Sequence, residues 1–123
     1  MTENNLLNEK AMNFSVRIYH FNKYLLDLKE YSLADQILKA GTSIGANLAE
    51  AVHAESKEDL IHKLSISRKE ASETKYWLNL FHKLNLIDEK LFASLYNDCD
   101  ELLRMLYSAC RSLKASISKD SKN

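Results

Sequence analysis

The 123-residue chain contains no proline and only two glycines, Gly41 and Gly45. Proteins built from strands and tight turns need both residue types, because proline and glycine supply the backbone angles of turns. A chain with almost none of them is expected to form long helices joined by short connections. Its length is that of one domain, and a content of 46% hydrophobic and 28% charged residues is typical of a globular protein.

Apolar residues recur at helical spacing in four segments of the chain, which predicts four amphipathic helices. The pattern is clearest from Phe14 to Leu28, where apolar residues step by four, three, four and three. Because short connections make consecutive helices antiparallel, the predicted fold is all-α, an antiparallel up-down-up-down four-helix bundle that forms a single domain over residues 1–123. The helices are expected over about residues 8–29, 32–53, 56–84 and 88–117.

Residues that cap helix N-termini mark three of these starts. Ser32 with Asp35, and Ser56 with Asp59, have the spacing of a capping box, in which the two side chains bond free backbone N–H groups at the helix start. Asp88 is expected to cap the fourth helix. The caps indicate connections of a few residues.

Both glycines fall in the middle of the second predicted helix. A glycine inside a helix costs about 1 kcal/mol relative to alanine, so two of them one turn apart indicate close packing against another backbone. The middle of the third predicted helix is also small and partly polar, at Ser67, Ala71 and Thr74. We therefore expect the ridge of Gly41 and Gly45 to face the third helix.

Ser43, Asn47 and Glu50 are spaced by four and three residues, so they share one stripe of the second helix. If that stripe is buried, each polar group needs a hydrogen-bond partner. Two interpretations are open: a structural motif that fixes the register of helices two and three, or a ligand site. The candidate partners on the third helix are Ser67, Glu70, Ser72 and Glu73.

Signatures of enzymes and metal sites are weak, so we predict no catalytic residue, no metal and no cofactor. Ser43 has no histidine one turn away, and the glycines lie within a helix rather than in a phosphate-binding loop after a strand. Glu50 with His53, and Asp59 with His62, have the carboxylate-x-x-histidine spacing of di-metal bundles. Such a site needs two more carboxylates at the same height, where the fourth helix offers basic residues.

A basic face is the stronger functional lead, although 17 basic and 17 acidic residues leave the chain neutral. Basic side chains would neutralise phosphates, and tyrosine rings would stack on bases. Helices one and four are neighbours in this topology, so their basic residues are expected to share a surface; an ordinary solvated face is the alternative. The predicted nucleic-acid-binding residues are Lys10, Arg17, Tyr24, Arg104, Arg111 and Lys114.

Tyr76 and Trp77 are adjacent on the third helix, so their side chains point about 100° apart and are not expected to share the core. Trp77 lies on the same side of the helix as Leu80 and Leu84. That leaves Tyr76 facing outward, as a candidate subunit-interface residue.

The chain has no run of about 18 apolar residues and does not begin with a signal-peptide pattern. We therefore expect a cytoplasmic protein with no membrane partner. In that compartment Cys99 and Cys110 are expected to be free thiols.

Three stretches of the chain resemble the four-helix-bundle proteins of the 23S-rRNA intervening-sequence family. They are Gly41–Asn47 followed by Glu50, Ala54–Lys57, and Lys69–Thr74 followed by Tyr76, Trp77 and Leu78. The resemblance covers residues 25–84 by specific motifs and the rest by helix pattern. The family's usual glycine after the alanine-glutamate pair is absent, since Ala51 and Val52 follow Glu50.

The resemblance implies a bacterial, cytoplasmic, all-helical protein that forms a homo-oligomer, with closed pentamers among its relatives. It also implies a fold shared with accessory proteins of diversity-generating retroelements, which work with a reverse transcriptase and nucleic acid, although fold alone does not fix function. Most members of the family have no assigned activity. The functional hypothesis is a non-enzymatic oligomeric scaffold or adaptor that binds structured RNA. The alternative is a protein-binding accessory subunit of a nucleic-acid enzyme, without direct RNA contact.

Overall fold

The structure is a computed structural model that describes the backbone of residues 3–122 and the side chains of residues 6–120. Within these residues the chain forms four helices and no strand, and no helix has an apolar stretch long enough to cross a membrane. The helices are α1 (Glu3–Asp27), α2 (Tyr31–Ala51), α3 (Lys57–Lys83) and α4 (Glu89–Lys122). The first begins before its predicted start and the last extends beyond its predicted end, because no proline or glycine interrupts either segment.

Neighbouring helices run antiparallel. Lys75 of α3 pairs with Asp100 of α4, while Arg68, seven residues earlier in α3, lies on Tyr107, seven residues later in α4. The other neighbouring pairs show the same reversed order. Contacts join α1 to α2, α2 to α3, α3 to α4 and α4 to α1, with α1 and α4 packed least closely. This arrangement confirms the predicted up-down-up-down bundle.

The core is built from the apolar stripes that the sequence predicts. In α1, Phe14, Ile18, Phe21 and Leu25 are buried, and burial of one such side chain stabilises the fold by about 1.5–3 kcal/mol. Leu28, the last member of that predicted stripe, is exposed because α1 ends at Asp27. The buried residues of α3 are Leu64, Ser67, Ala71, Thr74, Leu78 and Phe81.

Two non-glycine residues in the left-handed region close the tight turns. Lys29 has a φ of 64° and Asn85 a φ of 59°. After α1, the N–H of Glu30 donates to the Leu25 carbonyl at 3.0 Å, which is the long bond of a Schellman motif. The turn at Asn85 has the equivalent bonds. The chain therefore makes its two turns at this end of the bundle without glycine.

The predicted caps of α3 and α4 are confirmed. The Ser56 hydroxyl accepts a hydrogen bond from the Asp59 N–H at 3.0 Å. The Asp88 carboxylate accepts one from the Leu91 N–H at 2.8 Å. Each bond satisfies a backbone donor that has no partner inside its helix.

The predicted cap of α2 is wrong. Ser32 lies inside the helix, which begins at Tyr31, and Glu30 occupies the cap position without a side-chain cap bond. The Glu30 carbonyl already accepts from the Ala34 N–H at 2.9 Å, because the Schellman turn at the end of α1 delivers the chain directly into α2. The end of one helix therefore sets the start of the next.

The glycine ridge faces α1, so the prediction that it faces α3 is wrong. A Cβ atom placed on Gly41 would lie 2.9 Å from two side-chain carbons of Ile18. One placed on Gly45 would lie 3.5 Å from Ala11 Cβ and from Ser15 Oγ. The close approach that requires glycine is therefore between α1 and α2, and it is tightest at Gly41.

The small residues of α3 contact α2 at a different place. The buried Ser67 hydroxyl donates to the Ile44 carbonyl at 2.8 Å. Ile44 lies between the two glycines in the sequence, but its carbonyl is on the side of α2 that faces α3. The two predicted small surfaces are both real, but each packs against a different helix.

Candidate interaction surfaces

The side chains of the polar stripe of α2 form hydrogen bonds within their own helix and an ion pair with a lysine of α3. Across the side chains that the structure describes, they do not bond the acidic residues of α3. The Ser43 hydroxyl donates to the Lys39 carbonyl at 2.6 Å, and the Asn47 amide donates to the Ser43 carbonyl at 2.7 Å. Glu50 is exposed, with its carboxylate 3.4 Å from the Lys63 ammonium. Local backbone bonds of this kind satisfy the side chains but do not fix the register between two helices.

Glu70 and Glu73 lie together on the α2 side of α3. Burial, followed by repulsion from the Glu73 carboxylate, raises the pKa of Glu70, and Lys69 and Lys39 partly oppose this effect. Lys39 belongs to α2, which places the pair beside that helix. Across the residues that the structure describes, no three histidine, cysteine, aspartate or glutamate side chains are arranged to hold a metal ion.

The basic residues of α1 are matched by acidic residues of α4. The Lys10 ammonium lies 3.1 Å from the Glu101 carboxylate, and the Arg17 guanidinium lies 2.6 Å from the Asp98 carboxylate. Partly exposed ion pairs of this kind contribute about 0–1 kcal/mol each. Their larger consequence is for the charge of the surface, because a neighbouring carboxylate offsets the positive charge of each of these two side chains.

Tyr24 lies at the other end of the same seam. Its half-exposed ring stacks against Phe21 with the ring centroids 6.2 Å apart. It lines an open cavity of about 600 Å³ between α1 and α4, together with Arg17 and His20. Its lining also includes apolar side chains of α4, such as Leu91 and Leu95.

The predicted basic residues of α4 lie on another side of the helix. Arg104 lies 3.1 Å from Asp100, and the same carboxylate accepts a hydrogen bond from Lys75 of α3 at 2.9 Å. That bond raises the pKa of Lys75 and lowers the pKa of Asp100. Arg111 and Lys114 are exposed. Arg17 pairs with Asp98, whereas Arg104 pairs with Asp100, which also bonds α3, so the structure does not join Arg104 to the basic residues of α1 on one surface. Nucleic-acid binding by the six residues stays a prediction.

Sequence reasoning missed the contribution of α3 to this region. The Arg68 guanidinium carbon lies 3.7 Å from the centroid of the Tyr107 ring, and the Lys75 ammonium lies 4.9 Å from that of Tyr96. The signal was present, since Arg68 and Lys75 are seven residues apart and share a side of α3. Spacing within one helix does not reveal which neighbour that side faces.

An exposed apolar area, which we term the α1–α2 apolar surface, is formed by Met12, Val16, Tyr19, Ala46, Ala49 and Val52. Met12 is 65% exposed and Val52 is 69% exposed. Beside them an open groove of about 540 Å³ runs between the two helices, lined by Gly45 and the two alanines. Small side chains in such a groove allow another chain to approach closely.

Tyr76 points away from the core, as the spacing predicts. It is 60% exposed, whereas Trp77 is partly buried and packs against the core. The two rings meet edge to face with centroids 5.1 Å apart. Packing on Trp77 therefore holds the outward tyrosine in place.

The buried Cys99 thiol is a poor nucleophile. Cys99 is fully buried, and its thiol donates to the Ala71 carbonyl at 3.3 Å. Burial raises the pKa of Cys99 to about 12, so the thiol stays protonated at neutral pH. Cys110 is buried as well, and both cysteines are free.

Comparisons with known proteins place the chain among helical relatives. The sequence model of the family described as 23S rRNA-intervening sequence protein matches residues 3–108. A crystal structure from Bacteroides thetaiotaomicron, described as a protein with unknown function from the S23 ribosomal protein family, is 40% identical and superposes with a TM-score of 0.87. The match covers 89% of this chain and 99% of the other. No curated protein matches the chain.

Proposed function

Because the chain belongs to the family of 23S rRNA-intervening sequence proteins, we propose that it is a non-enzymatic helical scaffold that assembles into a homo-oligomer. The α1–α2 apolar surface is the observation that carries this proposal. The family's description names no activity, and the related crystal structure is of a protein with unknown function. Contiguous exposed apolar areas above about a few hundred Å² are uncommon on monomeric proteins and mark sites of association.

The composition of the α1–α2 apolar surface suits association between helices. Met12, Val16 and Tyr19 follow at four- and three-residue spacing, so they form one ridge along α1. The groove beside the ridge has small walls at Ala46 and Ala49. A ridge next to a groove of similar length is the geometry by which helices interdigitate.

Tyr76 supports a ring rather than a symmetric pair. It lies on α3, away from the α1–α2 apolar surface, and it is the exposed aromatic residue that the sequence marks as an interface candidate. Contact between two different surfaces of a subunit is heterologous, and it closes into a ring when the rotation fits. Five subunits, the number implied by the family resemblance, is the expected count.

The proposal assigns no catalytic residue. The Ser43 hydroxyl is held by its own helix backbone, and the Cys99 thiol is buried and protonated. The basic residues of α1 stand in ion pairs with α4, so the α1–α4 seam offers little support for RNA contact at Lys10 and Arg17. Docking of a different protein on the α1–α2 apolar surface, as in an accessory subunit of a nucleic-acid enzyme, is the other outcome of the test.

The test is the mass of the protein in solution, measured by light scattering after size exclusion at micromolar concentration. The wild type is expected to have several times the subunit mass. Met12→Glu/Val16→Glu introduces charge at two exposed positions and is expected to yield a folded monomer. The matched control is Tyr31→Glu, an equally exposed change at the far end of the bundle, which should leave the mass unchanged. A wild type that is monomeric would overturn the assembly and favour a different protein partner.

A further inference from the structure

The seam between α3 and α4 carries an ordered row of positive side chains on its outer side. Arg68 lies on Tyr107, Lys75 bonds Asp100, and Arg104 reaches the same carboxylate. These contacts place one cation after another along the two helices. This row is separate from the α1–α4 seam and from the α1–α2 apolar surface.

Two more cations of α4 continue this row. Arg111 lies seven residues after Arg104, and Lys114 lies seven residues after Tyr107, so helical periodicity keeps both on the side that faces α3. Both are exposed. We term the set the α3–α4 basic face: Arg68, Lys75, Arg104, Arg111 and Lys114.

The α3–α4 basic face has a net positive charge although the chain is neutral. Among the described side chains, its five cations contact one carboxylate, that of Asp100. Glu101, three residues before Arg104, contacts Lys10 of α1. At the two ends of the seam, Glu89 contacts His82 and Asp120 contacts Lys57. About four positive charges therefore remain for a ligand.

The spacing of the charges suits an extended polyanion. From the level of Asp100 to Lys114 the row covers fourteen residues of α4, or roughly 21 Å at 1.5 Å per residue. Exposed Ser72 lies between Arg68 and Lys75 on the same side of α3, and exposed Asn97 lies one turn from Asp100. Arginine, lysine, serine and asparagine are the residues that contact phosphate oxygens in nucleic-acid complexes.

The side chain of Arg68 is already ordered in the absence of a ligand. Its guanidinium is stacked on the Tyr107 ring, so its orientation is set by packing. A side chain that is already ordered loses less conformational entropy when it binds. The guanidinium covers one side of the Tyr107 ring, which is still 54% exposed.

From these observations we propose that the α3–α4 basic face binds the phosphate backbone of nucleic acid. This inference goes beyond assembly and does not depend on it, because the α1–α2 apolar surface lies on the opposite side of the bundle. Recognition is by charge and spacing, so base sequence is not read. Duplex RNA, single-stranded RNA and duplex DNA share this backbone chemistry, and the experiment separates them.

The test is fluorescence anisotropy with labelled 20-mers of these three kinds, at about 50 and 200 mM salt. If four phosphates are neutralised, affinity for the bound form falls about 50- to 150-fold between the two salts. Arg111→Ala/Lys114→Ala removes two contacts, and the same change in salt should then weaken binding only about 7- to 12-fold.

The matched control is Lys10→Ala/Arg17→Ala, which removes the same charge from the α1–α4 seam, where both residues are already paired. It should keep the wild-type salt dependence. The proposal is overturned by absence of binding to all three probes at the lower salt, or by equal losses in the two variants. It is also overturned if a polyglutamate peptide binds more tightly than every nucleic acid. Solution mass, measured in parallel, keeps a failure of assembly distinct from a failure of this inference.

Discussion

Alanine at the two glycines should change stability in opposite directions. Both positions lie inside α2, where alanine is favoured over glycine by about 1 kcal/mol because it restricts the unfolded chain and suits the helix. The two sites differ in the space for one methyl group. At Gly41 the new Cβ would lie 2.9 Å from two carbons of Ile18, whereas at Gly45 the nearest atoms are 3.5 Å away.

The contacts determine the sign of each effect. Ile18 is fully buried, and its β-branched side chain has little rotational freedom, so it cannot move away from a methyl group on Gly41. Overpacking of this kind costs about 1–3 kcal/mol. After subtraction of the helix gain of about 1 kcal/mol, we expect Gly41→Ala to lose up to about 2 kcal/mol net. At Gly45 the contact is an ordinary one, so Gly45→Ala should gain about 0.5–1 kcal/mol.

Thermal unfolding followed by circular dichroism measures both changes. For a chain of this size 1 kcal/mol corresponds to about 4 °C in Tm. Gly41→Ala should lower Tm by up to about 8 °C, and Gly45→Ala should raise it by about 2–4 °C. All samples must have the same oligomeric mass in solution. Gly45 borders the α1–α2 apolar surface, so its substitution could change stability through assembly. A Gly41→Ala protein at least as stable as the wild type would refute the account of the ridge.

Two further predictions concern buried groups. Ser67→Ala removes the hydrogen bond from α3 to the Ile44 carbonyl and should destabilise by about 0.5–1.5 kcal/mol in chemical unfolding; unchanged stability would show that the bond contributes nothing net. Cys99 should react with a thiol reagent at pH 8 only as fast as the protein opens, since burial raises its pKa to about 12; reaction as fast as that of a free thiol would contradict this. Because the raised pKa favours the neutral thiol in the folded state, Cys99 supports stability below its unfolded pKa of about 8.5, and this contribution falls progressively as pH rises towards the folded value of about 12.

The sequence specified the helices well because their apolar periodicity is a property of each segment alone. The start of α2 was harder to predict, since it depends on the turn before it. Ser32 had the residue type and spacing of a cap, but Lys29 in the left-handed region ends α1 so abruptly that α2 starts first. A left-handed lysine leaves no mark in the sequence of the kind that glycine leaves.

The surfaces were harder to predict because they depend on how each helix is rotated against its neighbours. The sequence shows that Gly41 must be small but not that Ile18 is the neighbour that requires it. Likewise, the sequence shows Arg17 and Arg104 among the basic residues of their helices but not their partners. Arg17 pairs with Asp98 of α4, and Arg104 pairs with Asp100, on the side of α4 that contacts α3. Asp98 and Asp100 are two residues apart in the sequence, so their side chains point about 200° apart around α4.

The two proposed surfaces lie on opposite seams of one bundle, which makes them separable by experiment. Met12→Glu/Val16→Glu acts on the α1–α2 apolar surface, and Arg111→Ala/Lys114→Ala acts on the α3–α4 basic face. If assembly and nucleic-acid binding are independent, the first pair changes mass but keeps the salt dependence, and the second does the reverse. If each pair changes both properties, assembly and nucleic-acid binding are coupled. Because one bundle already carries all five cations, that result would mean that one nucleic acid contacts the basic faces of several subunits together.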